Sequence, residues 1–212
     1  MVRIYLLRHG RTAWNKDRIF RGHADVPLDD YGLAQAGCAA QALANIPVSE
    51  IHTSPLSRAV QTAEPVAKAK DLPLKEAPAL LDIDYGQWSG KSQGQIEKVF
   101  PELNRQWLES PQQVHFPDGE DLSAVRQRAF AYLLEVAGTA GNAAILLVSH
   151  RVVLKVVICA ALDIPLSKFW QVKLDTASLS VLSFEKDRFT LSQLNDICHL
   201  QALGPLAESV DF

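Results

Sequence analysis

Val2-Arg3-Ile4-Tyr5-Leu6-Leu7-Arg8-His9-Gly10 begins as an apolar run and stops at a cation, an imidazole and a glycine. A buried strand that ends in a site has this form. Successive strand side chains point to opposite faces, so Arg8 and His9 can serve one pocket only if the strand ends near Arg8. Gly10 then offers a turn at no steric cost. The expectation is a nucleophilic His9 with Arg8 binding an anion beside it. The plain alternative is a strand that surfaces with a polar end.

Two further candidate strands also end in polar groups. Ala143-Ala144-Ile145-Leu146-Leu147-Val148 is an unbroken apolar run that ends at Ser149-His150. Such a run suits a central strand covered on both faces. Glu50 to Ser54 reads as a short strand, with Arg58 one helical turn beyond it. Helices fill the intervals. Asp29 or Asp30 caps one that runs to about Ala44. Leu56–Lys70 reads as another, which Pro65 should kink or end early. Leu72–Glu76 is expected as an edge strand. Residues 77–120 look irregular, apart from one helix around Gln95–Leu108. In Leu122–Ala137 the residues Val125, Ala129, Leu133 and Val136 recur at helical spacing, and Val152–Leu162 is an apolar helix. Ser178–Phe184 and Arg188–Leu194 read as strands joined at Lys186-Asp187. Strands alternating with helices imply an α/β fold with a mostly parallel sheet. Sites in such folds lie at the carboxyl ends of the strands, where His9, Arg8, Arg58 and His150 would meet.

Composition bounds the rest. A length of 212 residues suits one domain, 1–212, with a lid-like irregular insertion at about 86–120. The tail after about residue 199 carries no pattern and reads as a mobile terminus. No run is apolar enough to span a membrane, and the chain opens without a basic-then-apolar leader, so a cytoplasmic protein is expected. Cys38, Cys159 and Cys198 are odd in number and scattered, which indicates neither a disulfide framework nor a metal site. Residues 1–24 hold six cations against one acid, a net +5, which leaves −8 on the remainder of a chain of net charge −3. A local positive field on an acidic protein suits a small anionic substrate. It does not suit nucleic acid, which needs a broad basic face. A monomer or homodimer with no membrane partner is expected.

The residue types narrow the chemistry. No glycine-x-serine-x-glycine elbow and no phosphate-binding loop is present. Two arginines with two histidines fit a tetrahedral dianion, because guanidinium groups fork onto phosphate oxygens. Arg8, Arg58 and His150 can stabilise a phosphoryl group in transfer without a metal or other cofactor. An imidazole can attack phosphorus and leave again, and a general acid must protonate the departing alkoxide.

Leu7-Arg8-His9-Gly10-Arg11-Thr12 with Asn15 resembles the signature of the histidine phosphatase superfamily, the phosphoglycerate mutase-like proteins. Gly22-His23-Ala24-Asp25, Ser54-Pro55-Leu56-Ser57-Arg58, Asp84-Tyr85-Gly86-Gln87-Trp88, Gly119-Glu120 and Val148-Ser149-His150 follow in the order of that family's blocks. The resemblance implies a three-layer α/β/α sandwich and a metal-independent phosphoric monoester hydrolase. His9 would carry the phosphoryl group, while Arg8, Arg58, His150, Asn15 and the backbone at Gly22 would bind it. The compact form resembles the phosphatase branch, similar to broad-specificity and α-ribazole phosphatases. The alternatives are a cofactor-dependent phosphoglycerate mutase and a catalytically weak phosphate-binding member. The family's acid is normally glutamate, and here the position is Asp82, in Leu81-Asp82-Ile83-Asp84. Asp82 is the expected acid, with Asp84 or Glu120 as substitutes. Arg151 stands where glycine is common; it is read as outward or structural, the alternative being a contact to a second charged group. Arg11, Arg21 and His23 are further candidates for such a contact.

Overall fold

The computed structural model describes residues 1–204. Its centre is a six-stranded sheet of order β3-β2-β4-β1-β5-β6. The strands are β1 (Val2–Arg8), β2 (Val48–Thr53), β3 (Leu74–Glu76), β4 (Ala144–Ser149), β5 (Leu179–Glu185) and β6 (Arg188–Asp196). Strands β1 to β4 pair in parallel, and β5 runs antiparallel to both of its neighbours. Lys186 and Asp187 turn the β5–β6 hairpin with φ of 49° and 60°, the twist that a two-residue hairpin loop requires.

Helices cover both faces. On one side lie α2 (Asp30–Ala42) and α3 (Ser57–Lys70); on the other lie α6 (Leu122–Thr139) and α7 (Arg151–Ala161). The strand alternation divides the core accordingly. Ile4, Leu6, Ile145 and Leu147 join the α6–α7 layer, whereas Tyr5, Leu7, Leu146 and Val148 join the α2–α3 layer. This is the expected α/β/α sandwich.

Two local readings are corrected. α3 is not ended by Pro65 but runs on to Lys70. Ala59, Ala63, Val66 and Ala67 bury its inner face, and packing outweighs one lost backbone bond. The stretch expected as one helix is two, α4 (Gln93–Val99) and α5 (Pro101–Glu109). Pro101 opens α5 and disfavours helical backbone at Phe100, which sits at φ −130°, ψ 55°. Between β1 and α2 the chain forms one turn of helix, α1 (Ala13–Lys16). Past residue 199 the chain first forms a 3-10 turn, Cys198–Leu203, with Leu200 buried. The rest of the tail expected to be mobile lies outside the described residues.

The segment 86–113 packs as a cap. Trp88 and Trp107 are buried, with Phe20, Tyr85 and Phe116 edge-on around them at centroid separations of 5.0–6.4 Å. The tryptophans therefore fill the core under the lid.

Candidate active site

β1, β4 and β2 are neighbours in the sheet, so their carboxyl ends place His9, His150 and Ser54 side by side. β1 stops at Arg8, as the opposed-face argument requires. The His9 amide then donates to the Ser149 carbonyl at 2.9 Å. Gly10 does not adopt positive φ. It is needed for close approach instead, because a Cβ there would lie 2.7 Å from the Gly32 carbonyl oxygen of α2.

Each ring has its orientation set by hydrogen bonds. His9 Nδ1 lies 2.7 Å from the Gly10 carbonyl. Only a protonated Nδ1 can donate to a carbonyl, so the Nε2 lone pair is the reactive one. That Nε2 is buried with no hydrogen-bond partner among the described residues. Burial, then Arg58, Arg21 and Arg8, hold the His9 pKa well below its ordinary value. His9 is thus a neutral imidazole at physiological pH. His150 lies 5.2 Å from it, centroid to centroid. Its Nδ1 accepts from Arg58 Nε at 3.2 Å, and Nε2 faces Ser54 Oγ at 2.8 Å. Burial first, and Arg58 second, also keep His150 neutral.

Arg58 is fully buried. It donates to the carbonyls of Ala24 and Gly22, both at 2.8 Å, and to Asp82 Oδ2 at 3.2 Å. Arg8 is buried too and donates to the Leu174 carbonyl. Thr62, one turn beyond Arg58, accepts from the Gly10 amide and donates to the Arg58 carbonyl. It ties the β1 turn to the helix that carries Arg58. Asn15 is buried, and its Oδ1 accepts from the Thr12 amide and hydroxyl at 3.0 Å. Its amide nitrogen is the end left to face a ligand.

Asp82 is 5% exposed and lines one pocket with Arg21, Tyr85 and Arg151. The substitutes for it are committed elsewhere. Asp84 Oδ1 accepts from the Gly86 amide, and Glu120 pairs with Arg128. Arg128 was not picked out in the sequence, yet all five of its N–H donors are used. They go to both Glu120 oxygens and to the carbonyls of Ala79, Leu81 and Asp82, at 2.8–3.0 Å. Glu120 in turn accepts from the Asp84 amide at 3.0 Å. The pair clamps the backbone on both sides of Asp82.

The specificity candidates divide. Arg11 pairs with Asp29 at 2.8 Å and stacks on Tyr31, outside the pocket. His23 Nε2 donates to the Asp82 carbonyl at 2.9 Å, so it supports the loop. Arg21 faces the pocket. Arg151 does as well, and its outward reading is overturned: it is 6% exposed, lines the pocket and lies over the Trp170 ring at 5.7 Å. Ser54 and Thr62 were given no role of their own in the sequence, and no motif announced Arg128, because each acts through a partner distant in sequence.

Known proteins bear on this arrangement. The profile of the histidine phosphatase superfamily (branch 1) matches residues 4–197. Phosphoserine phosphatase 1 of Hydrogenobacter thermophilus is 37% identical over 200 residues, 94% of this chain and 95% of its own. The solved Bacillus stearothermophilus YhfR superposes with a TM-score of 0.91 at 28% identity, covering 95% of this chain and 100% of its own. The α-ribazole phosphatase of Shigella flexneri gives 0.84 at 28% identity, over 92% and 96%. With a match across nearly its whole described length and the two-histidine, multiple-arginine pocket in place, this chain belongs to branch 1 of the histidine phosphatase superfamily.

Proposed function

We propose that the protein hydrolyses a small phosphomonoester through a phosphohistidine on His9, without a metal. The carrying observation is His9 itself: a buried, neutral ring whose Nδ1 is occupied by Gly10 and whose Nε2 is unengaged. Arg8 and Arg58 take the phosphoryl oxygens, with His150 and Asn15 completing the cradle. Nε2 attacks phosphorus, the ester P–O bond breaks, and Asp82 gives its proton to the leaving alkoxide. Water then attacks the phosphohistidine while Asp82 takes back a proton. Orthophosphate departs and His9 is regenerated. Preorganised guanidinium charge supplies the stabilisation that other phosphoryl-transfer enzymes take from metal ions. The phosphatase names of the Hydrogenobacter thermophilus and Shigella flexneri proteins support hydrolysis over the mutase alternative, and Asp82 at the pocket wall supports turnover over mere binding.

The test is hydrolysis of p-nitrophenyl phosphate in excess chelator, with His9→Ala as control, and acid-labile phosphate on His9 after rapid quench. Turnover that survives His9→Ala, or that chelator abolishes, would refute the reading.

A further inference from the structure

Arg8 and Arg58 are assigned to the phosphoryl group, and Arg21 is a third arginine buried near enough to act on His9. It is 8% exposed, and its Nε and Nη1 are buried with no hydrogen-bond partner among the described residues. A buried guanidinium with unsatisfied donors is costly, and native folds retain one where a ligand, an ion or water supplies the acceptors. Its position is built rather than incidental. Phe20, the residue before it, is buried edge-on against Tyr85 and Trp88 at 5.0 Å. The Phe20 amide and carbonyl bond to Lys91 and Gly90 of the cap at 3.0 and 2.8 Å. The backbone that carries Arg21 is therefore held against the cap. It lines the pocket beside Asp82, Tyr85 and Arg151. Desolvation and the nearby Arg58 lower its pKa to about 9, with Asp82 opposing, so it is still cationic at neutral pH.

We propose that Arg21 receives a second anionic group, a carboxylate or a further phosphate, on the alcohol portion of the substrate. The inference rests on the phosphomonoesterase reading for its substrate class, although binding alone can test it. Arg151, from the first turn of α7, stands next to the position that group would take. Neutral and cationic alcohol portions would leave Arg21 unsatisfied and are selected against.

Three ligands of one skeleton separate the possibilities: 3-phosphoglycerate, propane-1,3-diol bisphosphate and glycerol 3-phosphate. The first two carry the second anion as carboxylate or phosphate, and the third replaces it with a hydroxyl. Calorimetric Kd values on the folded His9→Ala protein avoid turnover. One or both anionic ligands should bind about 10- to 100-fold tighter than glycerol 3-phosphate, the range for a charge-assisted bond. Which of them does so names the group. Adding Arg21→Gln should reduce that ratio to within about threefold, and Arg21→Lys should restore part of it. Equal affinity for all three ligands in the starting protein overturns the proposal. So does a loss in Arg21→Gln that is equal for all three and for orthophosphate, which would make Arg21 a phosphoryl ligand. Preserved selectivity with no hydrolysis by the unmodified protein would refute the esterase reading and leave this one standing.

Discussion

Asp82→Asn removes the acid with almost no change in size. Oδ1 can still accept from the Ile83 amide, now 3.0 Å away. The proton-donating form is lost, and so is the ion pair that the carboxylate form makes with Arg58 at 3.2 Å. General acid assistance is worth about 10²- to 10⁴-fold, or about 2.7–5.4 kcal/mol of barrier. That loss must depend on the leaving group, because an alkoxide needs the proton whereas p-nitrophenolate leaves well without it. kcat on glycerol 3-phosphate should fall by about 10²-fold or more, against about tenfold or less on p-nitrophenyl phosphate. Stability falls too. Breaking a buried ion pair costs about 3–5 kcal/mol in general, but Arg58 keeps Ala24, Gly22 and His150 as acceptors. A cost of about 1–3 kcal/mol, or about 3–10 °C in Tm, is the consistent figure. Removing a negative charge from an anion pocket should also tighten inhibition by orthophosphate. Steady-state kinetics on the two esters, phosphate inhibition and a thermal melt read all of this. Equal losses on alkyl and aryl esters, or a loss below about threefold on the alkyl ester, would refute Asp82 as the acid.

Arg128→Met should lower kcat on the alkyl ester about 10- to 100-fold by releasing the Asp82 backbone. In an Asp82→Asn background the same change should cost less than about threefold; additive losses would mean that Arg128 does not act through Asp82. His9 and His150 bear on stability through their depressed pKa values. Below about 6.5 the unfolded chain takes up protons that the buried rings refuse. Native stability should therefore fall as the pH drops from about 6.5 towards the folded-state values, by about 1.4 kcal/mol per pH unit for each ring. Urea unfolding of the protein and of His9→Asn between about pH 7.5 and 5.5 checks this, since the variant should lose one ring's share of the slope; identical slopes would contradict it.

Much of the site was legible because the chemistry sits where the pattern changes. Arg8-His9 and Ser149-His150 each interrupt an apolar run at a strand end, Ser54 with Arg58 follows a short mixed strand, and a parallel sheet brings such ends together. Of the reading of Arg151 as outward or structural, the outward half fails, because the first residue of a helix gives no sign of which way it faces. Its inward aim follows from how α7 packs under Trp170. The division at Phe100-Pro101 was readable in principle from proline's steric demand on its predecessor. The passage of α3 through Pro65 was not, because tertiary burial decided it.

The sequence by itself determined the α/β layering and the identity of the phosphoryl-binding groups, through strand alternation and the residue types at strand ends. Only the tertiary structure decided that Asp82 meets Arg58 and that Arg21 keeps buried donors unsatisfied among the described residues. Asp82, Arg21 and the Arg128–Glu120 clamp are set by contacts across 8 to 49 residues of chain or more. Hydrogen-bond satisfaction over such separations depends on where backbone carbonyls come to rest, which no local pattern records.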